Sequence, residues 1–368
     1  MKQARPSVET TGLDRLPWPW QNRIEIAAAF LRPPITSRTR EHEMRAVLCS
    51  EFTGPDHLTV GEIAEPVPAA DEILVDVHAA SVTYMDRLLV SGGYQMRPPT
   101  PFVPGTEAAG IVVSTGAKVS RFKTGDRVAC LGWIGGMAER MVAKEWKSVQ
   151  LPDNVSFEIG STVIHSYDTA YYALADRAQL KAAETVVVTG AGGGVGMAAV
   201  DVAVHLGGRV IAAVGSARHT AALQARSVAA IVDYTRENVR ERLAELTGGK
   251  GVDVCFDNVG GALFETLARS MAWRGRLLPI GFVGGEVPKL AMNLPLLKNF
   301  SVVGVFAGAW EDKEPEAARQ AKATIMGWIA AGHLRPHVGM VVPLERAGEA
   351  MRAIGDRSAT GRIVVKVR

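Results

Sequence analysis

Cysteine is scarce. The 368 residues hold three, Cys49, Cys130 and Cys255, far apart in the chain. They form no CxxC pair and no metal-like cluster, so the pattern fits reduced, partly buried thiols and argues against a disulfide framework. No apolar run reaches the roughly 18 residues that a membrane-spanning helix needs. An excess of one charge is missing too: 41 Lys+Arg stand against 38 Asp+Glu, for a net +3. That surplus does not supply the concentrated basic face that a nucleic-acid platform requires. Gly is plentiful at 38 residues, but without a collagen-like period. What remains is an ordinary globular mix, 47% hydrophobic and 21% charged. The length suits two or three domains, each with a sizeable core.

Residues 1–43 read differently from the rest. Pro17, Pro19, Pro33 and Pro34 surround a short helical-looking piece, too short to span a bilayer. Six arginines suggest a mitochondrial-type leader, but Glu9, Asp14, Glu25, Glu41 and Glu43 argue against one. The expectation is a poorly ordered extension or an upstream start, carrying +2 of the total +3. Met44 opens a run of short alternating segments broken by Gly and Pro, the pattern of an irregular, mainly β domain. Strands are expected at 73–79, 108–113 and 127–130, and a long small-residue helix at 159–175.

Beyond Lys181 a regular alternation begins. Thr185-Val186-Val187-Val188-Thr189 is an apolar strand of the buried parallel kind. Strands at 209–214, 230–233, 252–256, 276–280 and 301–306 follow, with helices between them. Six strands with crossover helices predict a doubly wound parallel sheet in the order 3-2-1-4-5-6. The last strand, 361–367, suits the first domain. The expected architecture is therefore discontinuous: a β domain from residues 44–167 and 333–368, with a nucleotide-type domain, 168–332, inserted.

Between the first parallel strand and its helix lies Gly190-Ala191-Gly192-Gly193-Gly194-Val195-Gly196. Small residues at a strand–turn–helix junction let backbone N–H groups approach a pyrophosphate at the helix N-terminus. The fingerprint reads Ala191-x-Gly193-x-x-Gly196, with Ala in place of the usual first Gly. An NAD site usually carries Asp or Glu about 20 residues on, to hold the ribose 2′-hydroxyl. Here the second strand ends in Val214-Gly215-Ser216-Ala217-Arg218-His219, with no acid. Ser216 can hydrogen-bond a 2′-phosphate and Arg218 can pair with it, so NADPH is favoured over NADH. The alternative, Arg218 merely facing solvent, leaves the missing acid unexplained.

These features, with Ala80-Ser81-Val82-Thr83-Tyr84-Met85-Asp86, Pro104-Gly105-Thr106-Glu107-Ala108-Ala109-Gly110, Gly125-Asp126-Arg127-Val128 and Asp257-Asn258-Val259-Gly260-Gly261, resemble the zinc-independent quinone oxidoreductases of the medium-chain dehydrogenase/reductase superfamily. The resemblance covers roughly residues 44–368. It implies an α/β fold in which a Rossmann domain is inserted in a GroES-like β domain, with NADPH in the cleft between them. Zinc-dependent relatives place Cys where Thr83 sits and His where Thr106 sits; threonine replaces neither ligand. No metal is therefore expected.

Hydride addition to a quinone or conjugated enone builds negative charge on an oxygen, and a nearby donor must stabilise it or deliver the proton. By resemblance to related enoyl-thioester reductases, Tyr94 in Ser91-Gly92-Gly93-Tyr94 matches a catalytic tyrosine. It is either that donor or an aromatic lid on the nicotinamide. The resemblance further assigns Thr83, Tyr84 and Thr169 to the nicotinamide pocket and Tyr234 to the adenine or ribose. Asn258, Gly281, Phe282 and Val283 border the cofactor at the carboxyl edge of the sheet. His219 stands near the phosphate site, whereas His78, His165, His205, His333 and His337 read as structural or exposed. The segment 302–306 is either an association edge, as in relatives that dimerise, or an internal strand covered by a helix.

The expected function is NADPH-dependent hydride transfer to a quinone or an electrophilic conjugated alkene. A narrower alternative is an acryloyl- or other 2-enoyl-thioester or haloacrylate reductase, because Phe282-Val283-Gly284-Gly285-Glu286 and Asn293-Leu294-Pro295-Leu296-Leu297-Lys298-Asn299 resemble such a subgroup. From another class comes an NADPH-binding protein with a non-catalytic role. The expected setting is a cytoplasmic homodimer or tetramer with a small-molecule electrophile as substrate, and neither nucleic acid nor membrane as partner.

Overall fold

The computed structural model describes residues 43–94, 97–356 and 358–368. The extension therefore lies outside the described residues, apart from Glu43, which already pairs in the first strand.

Strands β1 (Glu43–Leu48) and β2 (Thr59–Ala64) form an antiparallel pair. Around β3 (Glu72–Val82) builds a seven-stranded sheet with β4 (Glu107–Thr115), β5 (Arg127–Leu131), β6 (Arg140–Lys144) and β7 (Ser148–Gln150). Two strands from the far end of the chain complete it. β15 (Arg362–Lys366) pairs antiparallel with β3, Ile363 opposite Val82, and β14 (Val338–Pro343) pairs with β15. The alternation of apolar residues explains this closure. Ile73, Val75 and Val77 on β3 share one buried core with Val128, Met141, Ile363, Val365 and Met351. Ile363 and Val365 come from β15, so the chain's end is needed to complete that core.

The second sheet is parallel throughout. It comprises β8 (Thr185–Thr189), β9 (Arg209–Val214), β10 (Ala230–Asp233), β11 (Val252–Asp257), β12 (Met271–Pro279) and β13 (Ser301–Val302). Its order, β10-β9-β8-β11-β12-β13, is the expected 3-2-1-4-5-6. Successive residues serve opposite faces, because strand side chains alternate. Val186, Val188, Val210, Ala212 and Phe256 enter one core, and Val187, Ile211, Ala213 and Cys255 the other. Both faces are buried, which is why these strands read as unbroken apolar runs. The helix Gly194–His205 is buried from Gly196 to Ala203, apolar but for Asp201, which pairs with Arg226.

Two expectations need correction. The sixth strand, expected over 301–306, pairs only at Ser301 and Val302 with β12. It is the sheet's edge, not an internal strand, and Val302 and Phe306 are 44% and 57% exposed. An edge strand has one neighbour to hold its backbone, and Gly304 and the helix Ala307–Lys313 redirect the chain. The helix expected over 159–175 is broken. A short helix, Phe157–Gly160, is followed by wide π-type turns at Ile164–Asp168 and Tyr172–Arg177 around Thr169–Tyr171. Such widened turns occur disproportionately at functional sites.

Candidate functional site

The glycine turn leaves β8 through Gly190, whose φ of +59° favours glycine. It closes with Gly193 N–H donating to the Gly190 carbonyl at 3.0 Å, and Ala191 N–H donating to the Ala213 carbonyl at 3.1 Å. A Cβ on Gly196 would lie 2.1 Å from the Gly190 carbonyl oxygen, so only glycine lets the helix pack on the turn. A Cβ on Gly192 would strike the His219 ring at 2.2 Å, and one on Gly194 would strike Arg362 Cδ at 2.2 Å. Gly193 differs: a Cβ there would meet only the Gly190 oxygen, at 3.5 Å. Gly194 and Val195 thus open the buried helix, after the Gly193 cap, with backbone N–H groups that have no intrahelical acceptor. That is a cradle for a pyrophosphate.

Beside the turn, Asp257 organises the carboxyl edge. It is 1% exposed. Its carboxylate accepts from Thr189 Oγ1 at 2.5 Å, Val259 N–H at 3.0 Å and Gly260 N–H at 3.1 Å. Burial nevertheless raises its pKa, against those hydrogen bonds. Asn258 donates from Nδ2 to the Thr189 carbonyl at 2.9 Å, which locks β11 to β8. Gly281 and Val283 continue this edge through hydrogen bonds to the Asp257 and Asn258 carbonyls, and Phe282 stands 41% exposed.

At the end of β9, Ser216 caps the short turn Ala217–His219. Arg218 Nε donates to Ser216 Oγ at 3.1 Å, and Arg218 makes no ion pair among the described residues. A Cβ on Gly215 would lie 2.7 Å from Tyr234 Oη, so the Tyr234 phenol covers the same corner. The structure therefore gathers Ser216, Arg218, His219 and Tyr234 beside the glycine turn, with a cation and hydroxyls but no carboxylate ion pair.

From the first domain, Thr83 caps the helix Tyr84–Val90 with Asp86. Asp86 is fully buried, and its carboxylate accepts four bonds: Thr83 N–H at 2.7 Å, Thr83 Oγ1 at 2.6 Å, Thr106 Oγ1 at 2.7 Å and Gly105 N–H at 3.2 Å. The Thr83 hydroxyl, assigned by resemblance to the nicotinamide pocket, is thus committed to Asp86. Tyr84 is 37% exposed at the helix start. Thr169 is half-buried and bonds back to the His165 carbonyl at 2.8 Å. Tyr94 is half-buried against the core of the first domain.

Sequence reasoning missed the ionisable residues buried where the two sheets meet. Arg362, 7% exposed, donates to Ser81 Oγ at 2.7 Å and to Glu107 Oε2 at 2.9 Å, while its Nε has no hydrogen-bond partner among the described residues. Burial pushes Glu107 up to about 7 against the pull of Arg362. Glu107 Oε1 in turn accepts the His165 N–H at 3.2 Å. Burial, with Arg362 nearby, drops His165 to about 3, so it is neutral. Further along the same helical segment, Asp168 lies 3.2 Å from Lys322 Nζ, which also pairs with Glu311. Burial raises Asp168 to about 8. The only signal for these groups was a charge inside an apolar stretch, Asp168 within 163–174 and Arg362 at the start of Arg362–Lys366.

A doubly wound sheet with a glycine turn at its carboxyl edge, inserted into a β domain that the chain's end completes, defines a medium-chain dehydrogenase/reductase. Family models agree: residues 69–153 match the alcohol dehydrogenase GroES-like domain and residues 194–323 the zinc-binding dehydrogenase family. The chain is 36% identical over 325 residues to quinone oxidoreductase-like protein 2 of Mus musculus, covering 88% of this chain and 92% of that one. Among solved structures it is similar to Escherichia coli quinone oxidoreductase complexed with NADPH, with a TM-score of 0.81 at 28% identity, covering 88% of this chain and 100% of that one. A mycobacterial protein complexed with NADPH matches with a TM-score of 0.82 at 28% identity over the same shares. The chain belongs to the quinone oxidoreductase family of the medium-chain dehydrogenase/reductase superfamily.

Proposed function

We propose that this protein is an NADPH-dependent reductase that transfers hydride to a quinone or an electrophilic conjugated alkene without a metal. The observation that carries the cofactor assignment is Arg218. A guanidinium without an anion among the described residues, braced on Ser216 at the end of β9, suits a 2′-phosphate, and no carboxylate among them accompanies it to hold a bare 2′-hydroxyl. The N–H groups at Gly194 and Val195 would hold the pyrophosphate, with the Nε of buried Arg362, unpartnered among the described residues, beside Gly194. When bound, NADPH supplies the hydride; the protein supplies orientation, exclusion of water and a proton. Tyr94 is the proposed proton donor to the substrate oxygen. Metal-free chemistry is supported by Thr83 and Thr106, whose hydroxyls both serve the Asp86 carboxylate where zinc-dependent relatives carry ligands.

No helix among the described residues is long and apolar enough to cross a membrane. The three cysteines are buried and unpaired, which suits a reducing compartment. Cytoplasmic location is proposed on that ground, and a homodimer on the exposed edge at Val302 and Phe306. The test of the reaction is to follow NADPH absorbance while a quinone, an enone and an acryloyl thioester are offered in turn. Reduction of the first two supports the proposal, and exclusive use of the thioester shifts it to the narrower reductase. NADPH binding without turnover on any of a broad panel would leave only a non-catalytic role.

A further inference from the structure

Three consecutive residues near the chain's end touch three different parts of the candidate dinucleotide site. Thr360 Oγ1 is hydrogen-bonded to His219 Nδ1 at 2.9 Å. Gly361 N–H donates to the Gly192 carbonyl at 2.8 Å. Arg362 packs on Gly194 and holds Ser81 and Glu107. The strand that closes the first domain's sheet therefore begins on the glycine turn of the second. Of the three contacts, the Thr360–His219 bond is the one that reaches the loop carrying Ser216 and Arg218.

Its geometry is specific. His219 is 9% exposed, and its ring lies against the α-carbon of Gly192, with no room there for a Cβ. Thr360 is the only hydrogen-bond partner of the ring among the described residues, so Nε2 is left without one. Burial and the adjacent Arg218 hold the imidazole below its usual range, so it is neutral near pH 7. In a neutral imidazole one nitrogen accepts and the other donates. A Thr360 hydroxyl donating to Nδ1 leaves the proton on Nε2, a spare donor in the loop that presents Arg218.

We propose that Thr360 is a positioning residue for cofactor selection: it holds His219, and with it the Ser216–His219 loop, in the arrangement that accepts a 2′-phosphate. The inference rests on the reading of this site as an NADPH site. It predicts a selective effect, because NADH carries no 2′-phosphate for this loop to hold.

Thr360→Val keeps the shape and removes the hydroxyl, while the Gly361–Gly192 backbone bond stays. NADPH and NADH are titrated separately onto the full-length protein by fluorescence, without acceptor. The expected result is NADPH binding weakened roughly three- to ten-fold, the range of one hydrogen bond. NADH binding changes less than about two-fold, and Thr360→Ser restores NADPH affinity, since its hydroxyl can make the same bond. Thr360→Ala replaces the valine variant if that fails to fold. The imidazole nitrogen shifts of His219 give a second readout: the Nε2–H form in the native protein, a mixture in the variant. Equal weakening of both nucleotides, or unchanged NADPH affinity, overturns the inference while the NADPH site stands. A native protein that binds both nucleotides alike overturns the underlying reading instead.

Discussion

Lys322→Met is expected to cost this protein several kcal/mol, because it strips the cation from a buried group of three ionisable side chains. Lys322, Asp168 and Glu311 are 3%, 6% and 5% exposed. Burial lifts Asp168 to about 8, so near neutral pH its carboxyl is largely protonated and the ion pair that holds the group is Lys322–Glu311. Burial alone would lower Lys322, but the two acids outweigh it and its pKa is raised. Methionine fills a similar volume and leaves Glu311 with no cation. Breaking a buried pair on one side costs about 3–5 kcal/mol. At about 2 °C per kcal/mol for a protein of this size, the midpoint should fall by roughly 6–10 °C. The sign of the pH dependence follows. Lys322 pulls the Asp168 carboxyl down, so without it the folded-state pKa of Asp168 rises further above its unfolded value of about 3.9. Such a group favours folding fully below the unfolded value and loses that contribution as pH rises through the folded one. Melting curves of native and variant protein should therefore run closest toward acid and separate further as pH rises through about 8. Lys322→Met with Glu311→Gln should recover most of the loss, since no bare charge then remains. A single variant melting within about 2 °C of the native protein at pH 7, or with a deficit independent of pH, would refute the reasoning.

Arg218→Ala should raise the NADPH KM by roughly ten-fold or more, the value of a charged hydrogen bond, and leave NADH nearly untouched; parallel steady-state kinetics with both nucleotides check it. Tyr94→Phe should lower kcat by about two orders of magnitude with little change in NADPH binding if the phenol delivers the proton, and unchanged turnover removes it from that role. Gly196→Ala should abolish nucleotide binding or destabilise the fold, because the added Cβ must displace the Gly190 carbonyl 2.1 Å away. A fluorescence titration and a melt separate those outcomes, and native behaviour in both would show that the turn relaxes freely.

The dinucleotide half of the protein is legible because its signals are local. Alternation along β8 to β12, the punctuation by glycine and the absence of an acid after Val214 each lie within a few residues of chain. The order of the strands follows from the handedness of the crossovers. Segments whose conformation depends on remote neighbours were less legible. The 159–175 stretch has helical spacing, yet Asp168 must meet Lys322 and Glu311, and the chain there runs through wide π-type turns. The 301–306 stretch has strand composition, yet only Ser301 and Val302 find a partner.

The sequence by itself determined the class of fold, the place of the glycine turn and the chemistry that favours a phosphorylated cofactor. Periodicity and short motifs carry those. Only the tertiary structure decided that Thr360, Gly361 and Arg362 close on the turn from a strand of the other sheet, some 170 residues away by number. Only it decided that Glu107, Arg362, Asp168 and Lys322 share one buried interior. The physical reason is that a buried charge is tolerated when a partner lies within a few ångströms, and no local pattern records who that partner is.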